Sequence, residues 1–408
     1  MPTFATYTLG CKVNQSETSQ IENFLQKQGY YLVDQSQAPD FTIINTCSVT
    51  HVADRKSRQM IRRAKNNNPQ TKVIITGCFT VKNKGILSSF NIDHVINNDK
   101  KLDFLLWQSV FPKQNKAKQL PQVKIRRMLK IQDGCSTHCA YCIVPYLRQN
   151  KTSLPFPEIQ KIAKEWVAQG TREIVLTGVN LGNYRWQKYS LLEVIKELSP
   201  IEDLYRIRIS SLELPDLDPE LVTELNNNPK LCKHLHLPLQ SGSDPILKKM
   251  NRPYSTAEFL EKALQLKETI PDIALTTDVI VGFPGETEAD FQNTLKTIKK
   301  AGFSRLHVFK YSLRPGTPAA GFKDQIPAKI TDQRSKQLLS LSKKLEKEFA
   351  NKYLNAPLMV LFEEENPKFS QGLTSNYLRV FSKKHDLLGQ LVSMIPSKLD
   401  QKDHLVAK

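Results

Sequence analysis

Apolar residues in this chain fall into two alternating kinds of run. Short β-branched blocks recur, such as FTIINT from Phe41 to Thr46 and KVIITG from Lys72 to Gly77. Continuous blocks of this length suit strands buried on both faces of a parallel sheet. TFATYTL near the N-terminus reads as a further strand, and the segment after Asn14 as a helix that ends at the Gly29-Tyr30 break. Residues 1–109 therefore read as an α/β domain. From Lys124 a second alternation begins. Strands KIRRMLKIQ, EIVLTG, LYRIRISS, HLHLPL, IALTTDVIVG and RLHVFKYS are separated by helical patterns such as PEIQKIAKEWVAQ and STAEFLEKALQLKET. Repeated βα units imply parallel strands with right-handed crossovers. Six units are too few for a closed eight-unit barrel. A helix from about Ile330 to Tyr353 closes this region (124–353). After it, LMVLFEEE, QGLTSNYLRVFS and LLGQLVSM predict short strands of a small antiparallel barrel over 354–408.

Charge changes the picture next. The chain of 408 residues carries Lys+Arg 58 against Asp+Glu 40, a formal net charge of +18. Such an excess favours a polyanionic partner where the basic residues cluster. They do so in HVADRKSRQMIRRAK, where Arg55, Lys56, Arg58, Arg62, Arg63 and Lys65 face the single acid Asp54. A solvated helix face mixes signs, so this one predicts phosphate contact. Residues 110–123 read as a basic linker, with prolines and little to pack. No apolar run is long enough to span a bilayer, and the N-terminus lacks a basic start followed by an apolar block. The expectation is a cytoplasmic protein without a membrane partner.

Candidate chemistry lies in the cysteines. Cys135, Cys139 and Cys142 form a CxxxCxxC loop after the first strand of the second region. Three thiolates leave a tetrahedral zinc site one ligand short, unless His138 supplies it. A four-iron cubane held by three thiolates keeps one iron open for a small molecule. Tyr141 places a ring beside it. Cys11, Cys47 and Cys78 each follow a predicted strand directly. Ligands collect at the carboxyl ends of parallel strands, so these three converge on a second metal site or are three separate buried thiols. Cys232 has no partner pattern and reads as structural. The later βα loops are rich in Gly, Ser, Gln and Glu, which suit an amino acid and a ribose.

QDGCSTHCAYCIVPYLR (Gln132 to Arg148) resembles the cluster loop of radical S-adenosylmethionine (SAM) enzymes. TLGCKVNQSE, NTCSVT and TGC resemble the N-terminal domain of the tRNA methylthiotransferases. The strings around Gly178, Ser211–Pro215, Gln240–Ser243, Gly282–Glu286 and Arg314–Thr317 are similar to that family, as is GLTSNYLRV to its RNA-binding TRAM domain. The resemblance implies a Rossmann-like N-terminal domain, a partial (β/α)6 radical SAM barrel and an OB-like C-terminal barrel. It implies two [4Fe-4S] clusters, on Cys135, Cys139 and Cys142 for radical chemistry and on Cys11, Cys47 and Cys78, with SAM as co-substrate. SAM or cluster contacts are implied at Tyr141, Arg148, Gly178, Ser211, Glu213, Gln240 and Gly282. Arg55, Arg58, Arg62, Arg63, Tyr377 and Arg379 would contact RNA. Partners implied are tRNA, at adenosine 37 of the anticodon loop, and an electron donor such as flavodoxin or ferredoxin. Gly10 to Gln15 resembles the branch acting on N6-threonylcarbamoyladenosine. Rival substrates are isopentenyladenosine and a ribosomal-protein aspartate, and a rival class is a zinc-stabilised RNA-binding protein. One departure stands out: Gln149 follows Arg148 where the family commonly has glycine, and Asn150-Lys151-Thr152-Ser153 replaces a basic-Ser pair.

Overall fold

The computed structural model describes residues 1–82, 84–114 and 123–407. Most of the basic linker expected at 110–123 thus lies outside the described residues. Two compact units result: Met1–Gln122 with Asp133–Thr152 and Ser312–Ala320, and Val123–Gln132 with Ser153–Tyr311 and Gly321–Lys408.

In the first unit, β1 (Thr3–Thr8), β2 (Tyr31–Leu32), β3 (Phe41–Thr46), β4 (Lys72–Gly77) and β5 (His94–Val95) form one parallel sheet in the order β2-β1-β3-β4-β5. Alternation along the strands supplies two cores. Ile43 and Ile74 pack with Phe4, Ile21 and Leu25 under α1 (Lys12–Lys27). Ile44, Val73 and Ile75 pack with Ile61 and Ala64 under α2 (His51–Asn67). Both faces are covered, which is why the strands read as unbroken apolar blocks. α3 (Phe104–Val110) adds Trp107, whose indole N–H donates to the Lys101 carbonyl at 2.8 Å. α4 (Val144–Leu147) follows the CxxxCxxC loop.

The second unit holds six parallel strands in sequence order: β6 (Arg126–Asp133, whose last residue belongs to the first unit), β7 (Glu173–Gly178), β8 (Arg206–Ile209), β9 (His234–His236), β10 (Ala274–Val281) and β11 (Arg305–Lys310). Regular ladders join β6 to β8 and β9 to β11. Between β8 and β9 the chain is stitched by Ile207 N–H to Lys230 O at 2.7 Å and Cys232 N–H to Ile207 O at 2.9 Å. The connecting helices are α5 (Phe156–Ala168), α6 (Leu191–Leu198), α7 (Pro219–Asn227), α8 (Asp244–Lys249), α9 (Thr256–Thr269) and α10 (Glu288–Ala301). This is the partial six-unit barrel implied by the resemblance to radical SAM enzymes. α11 (Ala328–Asn351) leads to β12 (Leu358–Asn366), β13 (Phe369–Thr374), β14 (Arg379–Ser382), β15 (Leu391–Met394), β16 (Pro396–Leu399) and β17 (Leu405–Ala407). They form one curled sheet in the order β15-β12-β13-β14-β17-β16, antiparallel apart from the β14–β17 pair. The sequence pattern stops short of β16 and β17, whose four- and three-residue stretches, PSKL and LVA, are too brief to show a period. Among the described residues, no helix is long and apolar enough to cross a membrane.

A buried polar seam fastens this sheet to the barrel strands. The Arg208 Nε–H donates to Glu173 Oε1 at 2.7 Å, and its Nη1 to the Ser375 carbonyl at 2.9 Å. Arg206 donates to the Leu373 and Met359 carbonyls at 2.6 and 2.7 Å. Tyr377 lies with its ring 4.5 Å from the Arg208 guanidinium and 4.7 Å from the His234 ring. Burial pushes the Glu173 carboxyl up, but Arg208, Arg206 and Arg126 together hold it below its ordinary value.

Glu173→Ala strands the fully buried Arg208 without its counter-charge, and thermal unfolding should show a loss of about 3–5 kcal/mol. Because the folded carboxyl titrates lower than the unfolded one, this stabilisation is present above about pH 4.3 and fades as pH falls through the folded value. The wild-type and variant proteins should therefore converge in acid. An unchanged melting temperature at neutral pH would contradict the seam's role.

Candidate active site

The strand order places three cysteines at neighbouring strand ends. Cys11 is the N-cap of α1, after β1; Cys47 follows β3 and Cys78 follows β4. The register pairs Thr8 with Asn45 and Thr46 with Gly77, so the three carboxyl ends lie side by side. Two glycines permit the approach. Gly10 has φ +99°, and a Cβ there would meet Cys47 Sγ at 2.9 Å; Gly77 has φ +95°, and its Cβ would meet Thr46 O at 2.3 Å. Any larger residue would separate the cysteines. Asn14 ties two of these ends together, donating from Nδ2 to the Leu9 and Thr46 carbonyls at 2.7 and 3.1 Å. Burial, with Cys78 and Cys11 acting in the same direction, pushes the Cys47 thiol up to about 11. Burial also raises Cys78, against the pull of Arg148 and Lys101. Thiols that oppose each other's ionisation lose their protons readily only when a metal centre takes their place.

The CxxxCxxC loop belongs to the same compact unit. Cys139 is buried, and Cys135 and Cys142 are partly exposed. The Cys135 sulfur accepts from the Thr137 N–H at 3.3 Å, and the Cys142 N–H donates to the Cys139 carbonyl at 3.0 Å. Ile143 and Leu147, at the two ends of α4, pack with Cys78. Tyr141 is half-buried beside Cys142. Gly134, at φ +76°, packs against the backbone of Asn150, in the segment that departs from the family pattern.

Arg148 joins the two triads' supports. Its guanidinium donates to Glu17 at 2.9 and 3.0 Å, to Asp133 at 2.9 and 3.0 Å, and to Asn14 Oδ1 at 2.8 Å. Lys101, 1% exposed, donates to Glu17 Oε2 at 2.6 Å and to Asn45 Oδ1 at 3.2 Å. The planar fork of arginine suits such multiple contacts, and lysine would not replace it. A second arginine, Arg314, reaches Asp54 at 2.6 Å and Ser48 Oγ at 3.0 Å, bracing the residue after Cys47.

Among the described residues, the one set of three His, Cys, Asp or Glu ligand atoms within 4.8 Å of one another is His236, Asp278 and His307. Each cysteine triad offers three thiolates, one fewer than a closed tetrahedral zinc site takes and the number that leaves one iron of a cubane open.

In the second unit the expected SAM-contact positions sit at the carboxyl ends of strands. Gly178 ends β7, and a Cβ there would meet Gln132 at 2.9 Å; Gly282, at φ +73°, follows β10 and abuts Thr331. Packing thus accounts for both glycines. Gln240 is buried at φ +64°, with its backbone paired to Asp278 and Ile280. Ser211 is half-buried, and Glu213 forms an ion pair with buried Arg252. Of the expected RNA contacts, Arg55, Arg62 and Arg63 are exposed on α2 and Arg58 is half-buried. Asp54 is turned inward to Arg314, so the outer face of α2 carries basic and neutral residues and no acid. Arg379 is exposed, whereas Tyr377 is engaged in the seam described above. Glu17, Lys101, Asp133 and Arg314 were not singled out by the sequence pattern. Glu17 and Arg314 stand inside strings that resemble the family, but their partners lie far away in the chain.

Glu17→Gln leaves Lys101 buried without a counter-charge and weakens the hold on Arg148. Stability should fall by about 3–5 kcal/mol, and iron recovered per chain after anaerobic reconstitution should drop. Unchanged iron content and unfolding temperature would contradict this role.

Residues 3–97 match the uncharacterized protein family UPF0004, and residues 129–298 match the Radical SAM superfamily. The chain is 37% identical to the threonylcarbamoyladenosine tRNA methylthiotransferase MtaB of Bacillus subtilis, over 97% of this chain and 93% of that one. It is 34% identical to the protein of the same name in Thermotoga maritima, over 96% and 93%. It is 33% identical to the tRNA-2-methylthio-N(6)-dimethylallyladenosine synthase of Endomicrobium trichonymphae, over 95% of each chain. Among solved structures, the radical SAM methyltransferase TsrM from Kitasatospora setae superposes with a TM-score of 0.56 at 12% identity, over 78% of this chain and 75% of that one, a likeness of fold alone. Full-length similarity of this degree, together with two complete cysteine triads on their expected strands and loop, makes the chain a member of the radical SAM tRNA methylthiotransferase family.

Proposed function

We propose that this protein replaces the C2 hydrogen of N6-threonylcarbamoyladenosine at position 37 of tRNA with a methylthio group, using SAM. The observation that carries the reading is the pairing of both triads with one buried network in one compact unit. Four relatives at 34–37% identity act, by their names, on threonylcarbamoyladenosine in tRNA. The wording Gly10 to Gln15 supports the same branch. Three thiolates per triad, one short of a closed zinc site, weigh against the zinc-stabilised alternative.

Cys135, Cys139 and Cys142 would hold the radical SAM cluster, and Cys11, Cys47 and Cys78 a second one. Bound there with SAM, a [4Fe-4S] cluster supplies the one-electron chemistry that breaks the sulfonium C–S bond. The chain's own residues do the rest. Buried Cys47, Cys78 and Cys139 keep water from the metal-binding thiolates. Arg148 and Lys101 pull the Cys78 thiol toward its ionised form. Ser211, Glu213 and Gln240 would offer hydrogen bonds to the amino-acid and ribose groups of SAM. Arg55, Arg58, Arg62 and Arg63 of α2 would contact the RNA backbone, and so would Arg379. The modified base belongs to a single-stranded loop, where its edges are open to a protein. Such a role places the protein in the cytoplasm, served by a flavodoxin- or ferredoxin-type electron donor.

Anaerobically reconstituted enzyme, given SAM, reductant and tRNA bearing threonylcarbamoyladenosine, should form the 2-methylthio nucleoside. Cys139→Ala should abolish it and leave tRNA binding within about twofold, as expected for a residue that does not contact the nucleic acid. Activity surviving this change would contradict the assignment of the loop. Arg62→Ala with Arg63→Ala should weaken tRNA binding and lower the slope of log K against log salt by about 1.4–1.8. An unchanged slope would remove α2 from the RNA interface.

A further inference from the structure

Within the barrel strands, one group of side chains is used by none of the chemistry above. His236 ends β9, Asp278 lies in the middle of β10, and His307 lies on β11. The β10–β11 register pairs Asp278 directly with His307, and the β9–β10 register pairs His236 with Thr276, two residues before Asp278. Side chains two apart share a sheet face, so all three project from the same side. That face is polar: Leu235, Leu275 and Leu306, on the other, join the apolar core.

We propose that His236, Asp278 and His307 form a binding site for a divalent transition-metal ion, separate from both cysteine triads. His236 Nε2 lies 3.1 Å from Asp278 Oδ1, and His307 Nδ1 lies 3.3 Å from the same oxygen. Ligands on one ion at bonds of about 2.0–2.1 Å stand about 2.9–3.4 Å apart in octahedral or tetrahedral geometry. All three ligand atoms lie within 4.8 Å of one another. The supporting contacts are built as well. His236 Nδ1 is 3.0 Å from Thr276 Oγ1, which fixes the ring and leaves Nε2 aimed at Asp278. The imidazoles of His236 and His307 are stacked at 5.0 Å, so neither ring turns without displacing the other.

Two imidazoles and one carboxylate select zinc, iron(II), cobalt(II) or nickel(II) over magnesium and calcium, which favour oxygen. A chain with a net charge of +18 gives a cation no general attraction, so binding rests on these three donors. His236 is buried, Asp278 is partly exposed and His307 is 45% exposed at its side chain. The ion would therefore be reached from the His307 side, and three protein ligands leave coordination positions for water or another oxygen donor.

Cobalt(II) added to anaerobic, cluster-loaded enzyme tests this. Visible d–d bands should appear without sulfur-to-cobalt charge-transfer absorption, saturating at a single added ion per chain. In Asp278→Asn and in His307→Ala the affinity should fall at least about tenfold. Iron content and melting temperature, measured alongside, establish that the variants are folded and loaded. No cobalt bands, bands of thiolate character, or equal affinity in folded variants would overturn the site.

Discussion

Glu17 is the residue on which the arrangement of the first unit turns. It is 1% exposed and accepts hydrogen bonds from two buried cations, Arg148 and Lys101, that come from distant parts of the chain. Each cation would be costly to bury alone, and so would the carboxylate. Together with Asp133, Asn14 and Asn45 they satisfy one another. The consequence is positional. Glu17 and Asn14 lie on the helix that Cys11 caps, Asn45 lies two residues before Cys47, and Arg148 lies six residues after Cys142. Fixing the charges fixes the chain segments that carry the cysteines. The network also sets cations beside Cys78, where buried thiolates must be stabilised.

Backbone permissiveness does the complementary work. Gly10 brings the segment before Cys11 against the side chain of Cys47, and Gly77 brings the segment before Cys78 against the backbone of Thr46, at distances that a Cβ would forbid. In the second unit the same division of labour recurs. Arg206 and Arg208 satisfy carbonyls at one end of β12 and β13 of the curled sheet while Glu173 balances their charge. Cys232 sits within reach of this charge group; burial pushes its thiol up to about 11, consistent with an inert structural cysteine.

Much of this was legible in the sequence, for identifiable reasons. Strands buried on both faces leave unbroken apolar blocks, so the apolar pattern alone places the cysteines at their ends. The basic face of α2 was legible because six cations fall within one helix. What was not legible depends on pairings over long separations. Glu17 and Arg148 are 131 residues apart, and Asp54 and Arg314 are 260 apart. Asp54 read as the lone acid of a basic helix, yet it faces inward. The approach of His236, Asp278 and His307 is set by strand register, which spacing along the chain does not encode. Tyr377 read as an RNA contact. The structure gives its ring to Arg208 and His234, a contact that could not be foreseen from the GLTSNYLRV string.

The central claim is that this chain methylthiolates threonylcarbamoyladenosine in tRNA. Its most direct test is mass spectrometry of nucleosides from the total tRNA of the host, with and without the gene. The account predicts that loss of the gene removes 2-methylthio-N6-threonylcarbamoyladenosine and raises the form lacking the methylthio group, while isopentenyladenosine derivatives stay unchanged. Loss of the methylthio group from the isopentenyl derivative instead, or no change in any tRNA nucleoside, would contradict it.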